Sequence, residues 1–144
     1  MKRMRRPLSF AAILCLALLC GCANDGAGIK LAPVTGRVTF KNQAFTPGEI
    51  FFTPDEAKGT QGEPGNALLK PEDGTFTITT LGPKGLRDGV APGSYRVTVG
   101  LGRRPDKELA KYRSAKTTPL SIEVPEEGYA DIVVDLDKGT VVVK

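Results

Sequence analysis

Histidine is absent from the sequence, and so is tryptophan. Without histidine there is no imidazole to act as general base, no histidine-activated serine or cysteine nucleophile, and none of the commonest metal ligand. The three cysteines, Cys15, Cys20 and Cys22, all lie in the first 22 residues, so the rest of the chain has no thiol chemistry and no disulfide of its own. Aromatic residues make up 6%, too few for the stacking platforms that single-stranded nucleic acid needs. Long apolar runs are lacking too. Leu8 to Leu19, broken by Ser9, is about a dozen residues, short of the roughly 20 that cross a bilayer as a helix. The excess of positive charge is local: Lys2, Arg3, Arg5 and Arg6 account for it, and 20 Lys+Arg less these four leaves 16, against 16 Asp+Glu. A neutral body with no basic stripe excludes nucleic acid as the expected partner.

What the N-terminus does contain is ordered as an export signal. Met1 to Arg6 is a positive segment, the apolar run follows, and Leu19-Cys20-Gly21-Cys22 places small residues ahead of a cysteine. Leu-Cys-Gly-Cys resembles the lipobox of bacterial lipoproteins. The resemblance implies cleavage before Cys22, removal of residues 1–21 as the signal peptide, and lipid attachment at Cys22 through a thioether-linked diacylglycerol with acyl chains of the palmitate kind. Cys20 is the rival acceptor, but it would put the bulky Leu19 where a small residue belongs. A plain secretory signal would instead leave Cys22 as a thiol with no second cysteine in the mature chain to pair with. One acyl chain holds a membrane weakly at about 0.8 kcal/mol per methylene, whereas two or three hold it stably. Ala23 after the acceptor, rather than aspartate, resembles the sorting signal for the outer membrane, so the expected location is the bacterial cell envelope, lipid-anchored, at the outer membrane.

Residues 22–33 are small, polar and aperiodic and read as a flexible tether. From Val34 the pattern becomes strand-like. Val34, Gly36, Val38 and Phe40 alternate with Thr35, Arg37 and Thr39, and Tyr95, Val97, Val99 and Leu101 alternate with Ser94, Arg96, Thr98 and Gly100. Further strands are expected at Glu49–Thr53, Thr75–Thr79, Leu120–Val124, Ile132–Leu136 and Thr140–Val143, with a short edge strand at Ala67–Lys70. Pro47-Gly48, Glu72-Asp73-Gly74 and Ala91-Pro92-Gly93 mark turns. Asp55 to Asn66 is polar and Gly-rich and reads as an exposed, mobile loop, and Arg103 to Thr118 as a connection holding a short surface helix with Leu109 and Tyr112. The spacing predicts an all-β fold over residues 34–144, an Ig-like or transthyretin-like Greek-key sandwich of about seven strands.

Val34-Thr35-Gly36-Arg37-Val38-Thr39, Asp73-Gly74-Thr75-Phe76 and Ala91-Pro92-Gly93-Ser94-Tyr95-Arg96-Val97 resemble carboxypeptidase regulatory-like domains, which implies a transthyretin-like sandwich. Lys111-Tyr112-Arg113 followed by Thr118-Pro119-Leu120-Ser121-Ile122-Glu123-Val124 resembles the small lipoproteins numerous in planctomycetes. Neither resemblance carries a chemical site. Transthyretin-like hydroxyisourate hydrolases use histidines and a C-terminal Tyr-Arg-Gly-Ser, whereas Tyr112-Arg113-Ser114 is internal and lacks the glycine.

The remaining candidates for chemistry are sparse. Asp131, Asp135 and Asp137 share a strand face, but no Asp-x-Asp-x-Asp-Gly loop surrounds them, so a solvated face is expected rather than calcium. Gly100-Leu101-Gly102 lacks the third glycine of a dinucleotide loop. Arg103, Arg104, Lys111, Arg113 and Lys116 form a local basic cluster that could meet anionic glycans or headgroups, diluted by Asp106 and Glu108. Phe51, Tyr112 and Tyr129 are possible aromatic contacts, with core or edge packing as their ordinary role. The sequence therefore points to a non-catalytic envelope module without metal or cofactor, bound to the membrane through Cys22 and facing an envelope or secreted protein. The alternative is a glycan or small-ligand binder using loops 55–66 and 103–118. An enzyme built on carboxylates alone finds no pair marked by spacing.

Overall fold

The computed structural model describes residues 28–102 and 106–144. Residues 1–21, the expected acceptor Cys22 and most of the expected tether lie outside these, as do Arg103 and Arg104. The described chain is all-β, in two sheets. Its strands are β1 (Val34–Phe40), β2 (Gln43–Ala44), β3 (Glu49–Pro54), β4 (Gly65–Leu68), β5 (Thr75–Thr77), β6 (Thr79–Gly82), β7 (Gly85–Asp88), β8 (Gly93–Gly100), β9 (Ser121–Val124), β10 (Tyr129–Asp135) and β11 (Thr140–Val143). Among the described residues there are thus eleven strands, not about seven. The difference comes from pieces of two to four residues, too short for an alternation to register.

One sheet runs β11-β10-β1-β2, with β5 also pairing to β1, and the other runs β7-β6-β4-β3-β8-β9. Alternation decides the core. Val34 and Val38 of β1 meet Ile132 and Val134 of β10 on the inner face, and Ile50 and Phe52 of β3 lie opposite Val99 and Val97 of β8. Each such side chain contributes about 1.5–3 kcal/mol on leaving water. The pairing of β1 with β10 is parallel, within an otherwise antiparallel arrangement. Gly36 makes it possible, because a Cβ there would stand 2.3 Å from the carbonyl oxygen of Ile132.

The run Thr75–Thr79, expected as one strand, serves both sheets. Ile78, fully buried, donates its N–H to Val34 at 2.9 Å and accepts from the N–H of Gly89 at 2.8 Å, so the chain passes from β5 in one sheet to β6 in the other at that residue. The 67–70 segment is also corrected: its strand is β4, an interior strand between β3 and β6. The expected short surface helix is a 3₁₀ turn, Ala110–Arg113, and core packing is the role that Tyr112 takes. Leu109 and Tyr112 are buried, and the Tyr112 hydroxyl donates to the Leu136 carbonyl at 2.5 Å. Packing of two large apolar side chains outweighs the polar composition around them. The folded body reaches back to Ala32, which is buried and bridges Val90.

Candidate functional site

The sequence-singled loop Asp55–Asn66 is built onto the second sheet. The N–H of Asp55 donates to Ser94 at 2.9 Å, the N–H of Ser94 donates to the Thr60 hydroxyl at 2.8 Å, and a 3₁₀ turn, Glu56–Lys58, ends at Gly59 in the left-handed region. These bonds satisfy backbone groups that a free-standing loop would leave to water. Between this loop and the end of β3 lies an open cleft of about 600 Å³. Thr53, Glu56, Gln61 and Glu63 put polar groups on its wall, with Pro54 and Pro64 as apolar surface. Such a wall can accept hydrogen bonds from hydroxyls.

The second expected loop borders a smaller opening of about 310 Å³ through Glu108, Leu109 and Lys111, closed on its other side by Phe40, Leu136 and Asp137. Several polar groups among its described residues secure the fold. Arg96 donates to the carbonyls of Ala115 at 3.2 Å and Thr118 at 2.9 Å, and the buried Thr118 hydroxyl donates to Val97 at 2.7 Å while accepting from the Leu120 N–H. Lys111 lies 5.0 Å from the ring centre of Tyr112, a cation–π contact that ties one cation of the basic cluster to a core tyrosine. Tyr112 is therefore not an exposed aromatic contact; Phe51 and Tyr129 are half-buried, Tyr129 against the core.

The three aspartates are engaged by cations and amides. Asp131 faces Arg37 at 3.7 Å, Asp135 faces Lys138 at 3.4 Å and accepts the N–H groups of Asp137 and Lys138, and Asp137 accepts the N–H of Lys41. Among the described residues no group of three or more His, Cys, Asp or Glu side chains is arranged to hold a metal ion. Asp73 is held below the usual carboxylate range by the Thr75 hydroxyl and then by the Thr75 N–H, which is a turn device. Tyr95 is pushed up to about 12 by burial, and its hydroxyl donates to the Ala91 carbonyl at 2.6 Å.

One surface was missed in the sequence. Leu81 of β6 and Leu86 of β7 lie directly opposite each other across a hairpin and are 67% and 69% exposed. Ile29, 52% exposed, lines a groove of about 180 Å³ with Leu31, Leu81, Pro83, Arg87 and Ala91. The signal was present: Gly82-Pro83-Lys84-Gly85 between two leucines is turn punctuation inside an apolar pair. Its brevity hid it. No helix among the described residues is long and apolar enough to cross a membrane.

Fold and site together define an all-β, two-sheet protein in which the buried Thr80, Tyr95, Tyr112 and Thr118 hydroxyls bond to backbone and whose openings include a polar cleft and an apolar hairpin groove. Compared with protein-family models, curated proteins and solved structures, the chain finds no match.

Proposed function

We propose that the protein is a lipid-anchored, non-catalytic module of the bacterial cell envelope, held at the outer membrane through Cys22 and serving as a structural or protein-interaction domain. The observation that carries this reading is the ordered N-terminus: four cations, an apolar run too short to span, and Leu19-Cys20-Gly21-Cys22. The body supports a non-catalytic role in that Asp131, Asp135 and Asp137 are engaged by cations or amides and the buried Tyr112 and Thr118 hydroxyls bond to backbone. An immunoglobulin-like or transthyretin-like Greek-key order is part of the same reading. It is supported by the Tyr95 hydroxyl, which bonds a carbonyl four residues upstream as tyrosine corners do, and by the resemblance to carboxypeptidase regulatory-like domains. The module binds neither nucleic acid nor cofactor.

Intact mass of membrane-extracted protein tests it. The expected mass is residues 22–144 plus acyl groups, with Cys22→Ala giving no acylated species and a chain released from the membrane fraction. An unmodified thiol on a soluble chain would overturn the anchor.

The polar cleft favours a second reading, a glycan or small polar ligand bound against Glu56, Gln61 and Glu63. A glycan array probed with the protein at high concentration tests it. Binding lost in Gln61→Ala would support this reading, and an array without a binder would remove it.

A further inference from the structure

An exposed leucine pair at the tip of a hairpin is costly to leave in water, and here it lies near the start of the described chain. Leu81 and Leu86 are register partners at the end of β6 and β7, next to the two-residue turn Pro83-Lys84, and β7 is the outer strand of its sheet. Ile29 and Leu31 share a groove with Leu81, so the chain arriving from the N-terminus runs along this same hairpin. Six residues separate Cys22 from Ile29, and even fully extended the seven steps between them reach at most about 25 Å.

We propose that the β6–β7 hairpin, through Leu81 and Leu86 with the neighbouring Ile29, lies in the lipid interface beside the acyl anchor and so fixes the orientation of the domain on the membrane. The inference rests on the lipid-anchored reading above. A tether this short keeps the hairpin within reach of the bilayer that holds Cys22, and the apolar pair gives it somewhere to go. Lys84 in the turn and Arg87 on β7, both exposed, flank the pair and form no ion pair among the described residues. Glu63 and Asp88 stand against them, so the rim is charged but balanced and the apolar side chains supply the affinity for lipid. The arrangement joins exposed apolar side chains to neighbouring charged groups, as interfacial elements do. The other exposed apolar pair, Val142 and Val143, belongs to β11 in the opposite sheet, and the groove that Ile29 lines does not include it. One anchored end plus one seated hairpin would hold the polar cleft at a constant angle to the membrane, instead of letting the domain tumble on its tether.

The absence of tryptophan provides a clean test. The full chain, expressed with its signal and lipidated, is prepared as Leu86→Trp, as Leu81→Trp in case one substitution disturbs the hairpin, and as Val142→Trp for comparison. Each is reconstituted into phosphatidylcholine–phosphatidylglycerol vesicles containing lipids brominated along the acyl chain. With the protein floating with the vesicles, Leu86→Trp or Leu81→Trp loses roughly half its emission to the bromines, the depth expected of an interfacial element being about 5–10 Å, while Val142→Trp is unaffected. Flotation with none of the three quenched overturns the hairpin contact and leaves the anchor standing. Equal quenching of all three overturns a fixed orientation. A blue shift at position 81 or 86 that depends on protein concentration, without bromine quenching, assigns the leucines to a second copy of the chain and overturns the lipid contact. Failure to float overturns the anchor and the inference with it.

Discussion

Tyr95 shows at the residue scale how burial turns an ordinary side chain into a pH-dependent part of the fold. Its ring packs 5.9 Å from that of Phe52, its hydroxyl donates to Ala91, and burial pushes its ionisation up to about 12 from the ordinary 10.0. A folded-state value raised above the unfolded one means that the stabilisation is complete below about pH 10 and is lost as pH rises through about 12. On the order of 2–3 kcal/mol is at stake over that window. Urea titrations from pH 8 to 12 are expected to show stability falling from about pH 10 upward, less steeply in Tyr95→Phe, which in turn is weaker at neutral pH by about 1–3 kcal/mol because the Ala91 carbonyl loses its buried donor. An equal slope in both proteins would assign the alkaline loss to another group. Sequence alternation placed Tyr95 inward; that its hydroxyl turns back to Ala91 is a matter of local chain path, which period two does not encode.

Pairing, at the scale of elements, is where close approach matters most. Gly36 lies in β1 with its missing Cβ directed at the backbone of Ile132 in β10, whereas a Cβ at Gly100 in β8 would find its nearest neighbour at an ordinary 3.4 Å. Gly36→Ala is therefore expected to destabilise by about 2–4 kcal/mol, since backbone rather than a rotatable side chain must yield. Gly100→Ala should cost under about 0.5 kcal/mol, a surface-type change. Thermal melts of the two variants decide it, and similar midpoints would mean that β1 and β10 can separate without loss. The strands containing both glycines were legible as alternations. Nothing in the run Val34–Phe40 shows, however, that its neighbour is β10, nearly a hundred residues on and parallel, because pairing partners are chosen by the global packing of two faces.

The order of strands, for the molecule as a whole, predicts where it opens first. β1 and β10 are interior to one sheet and β3 and β8 to the other, and their inner residues form one continuous core. β7, β9 and β11 have a neighbour on one side only. Hydrogen exchange of the intact protein is expected to be slowest in β3, β8, β1 and β10 and fastest in β7 and β11, because edge strands open without exposing that core. Uniform protection across β7 and β3 would contradict this order and would indicate that β7 is covered. In lipid vesicles, the β6–β7 hairpin should gain protection that it lacks in detergent-free solution for Cys22→Ala.

How much was readable depended on how far each feature extends along the chain. The neutral composition beyond residue 6, the lack of histidine and the alternations at Val34–Phe40 and Ser94–Leu101 are properties of consecutive residues, so the sequence by itself determined them, together with an all-β class; the expectation of an export signal is read from consecutive residues too. The tertiary structure alone decided what depends on distant partners: that Thr75–Thr79 divides between two sheets at Ile78, that the Tyr112 hydroxyl meets the Leu136 carbonyl from a 3₁₀ turn, and that the 55–66 loop bonds to β8 and borders a cleft. It also decided that Ile29 and Leu81 share one groove. Local periodicity tells which way a side chain points relative to its own strand; only the closing of two sheets over one core determines what it meets there.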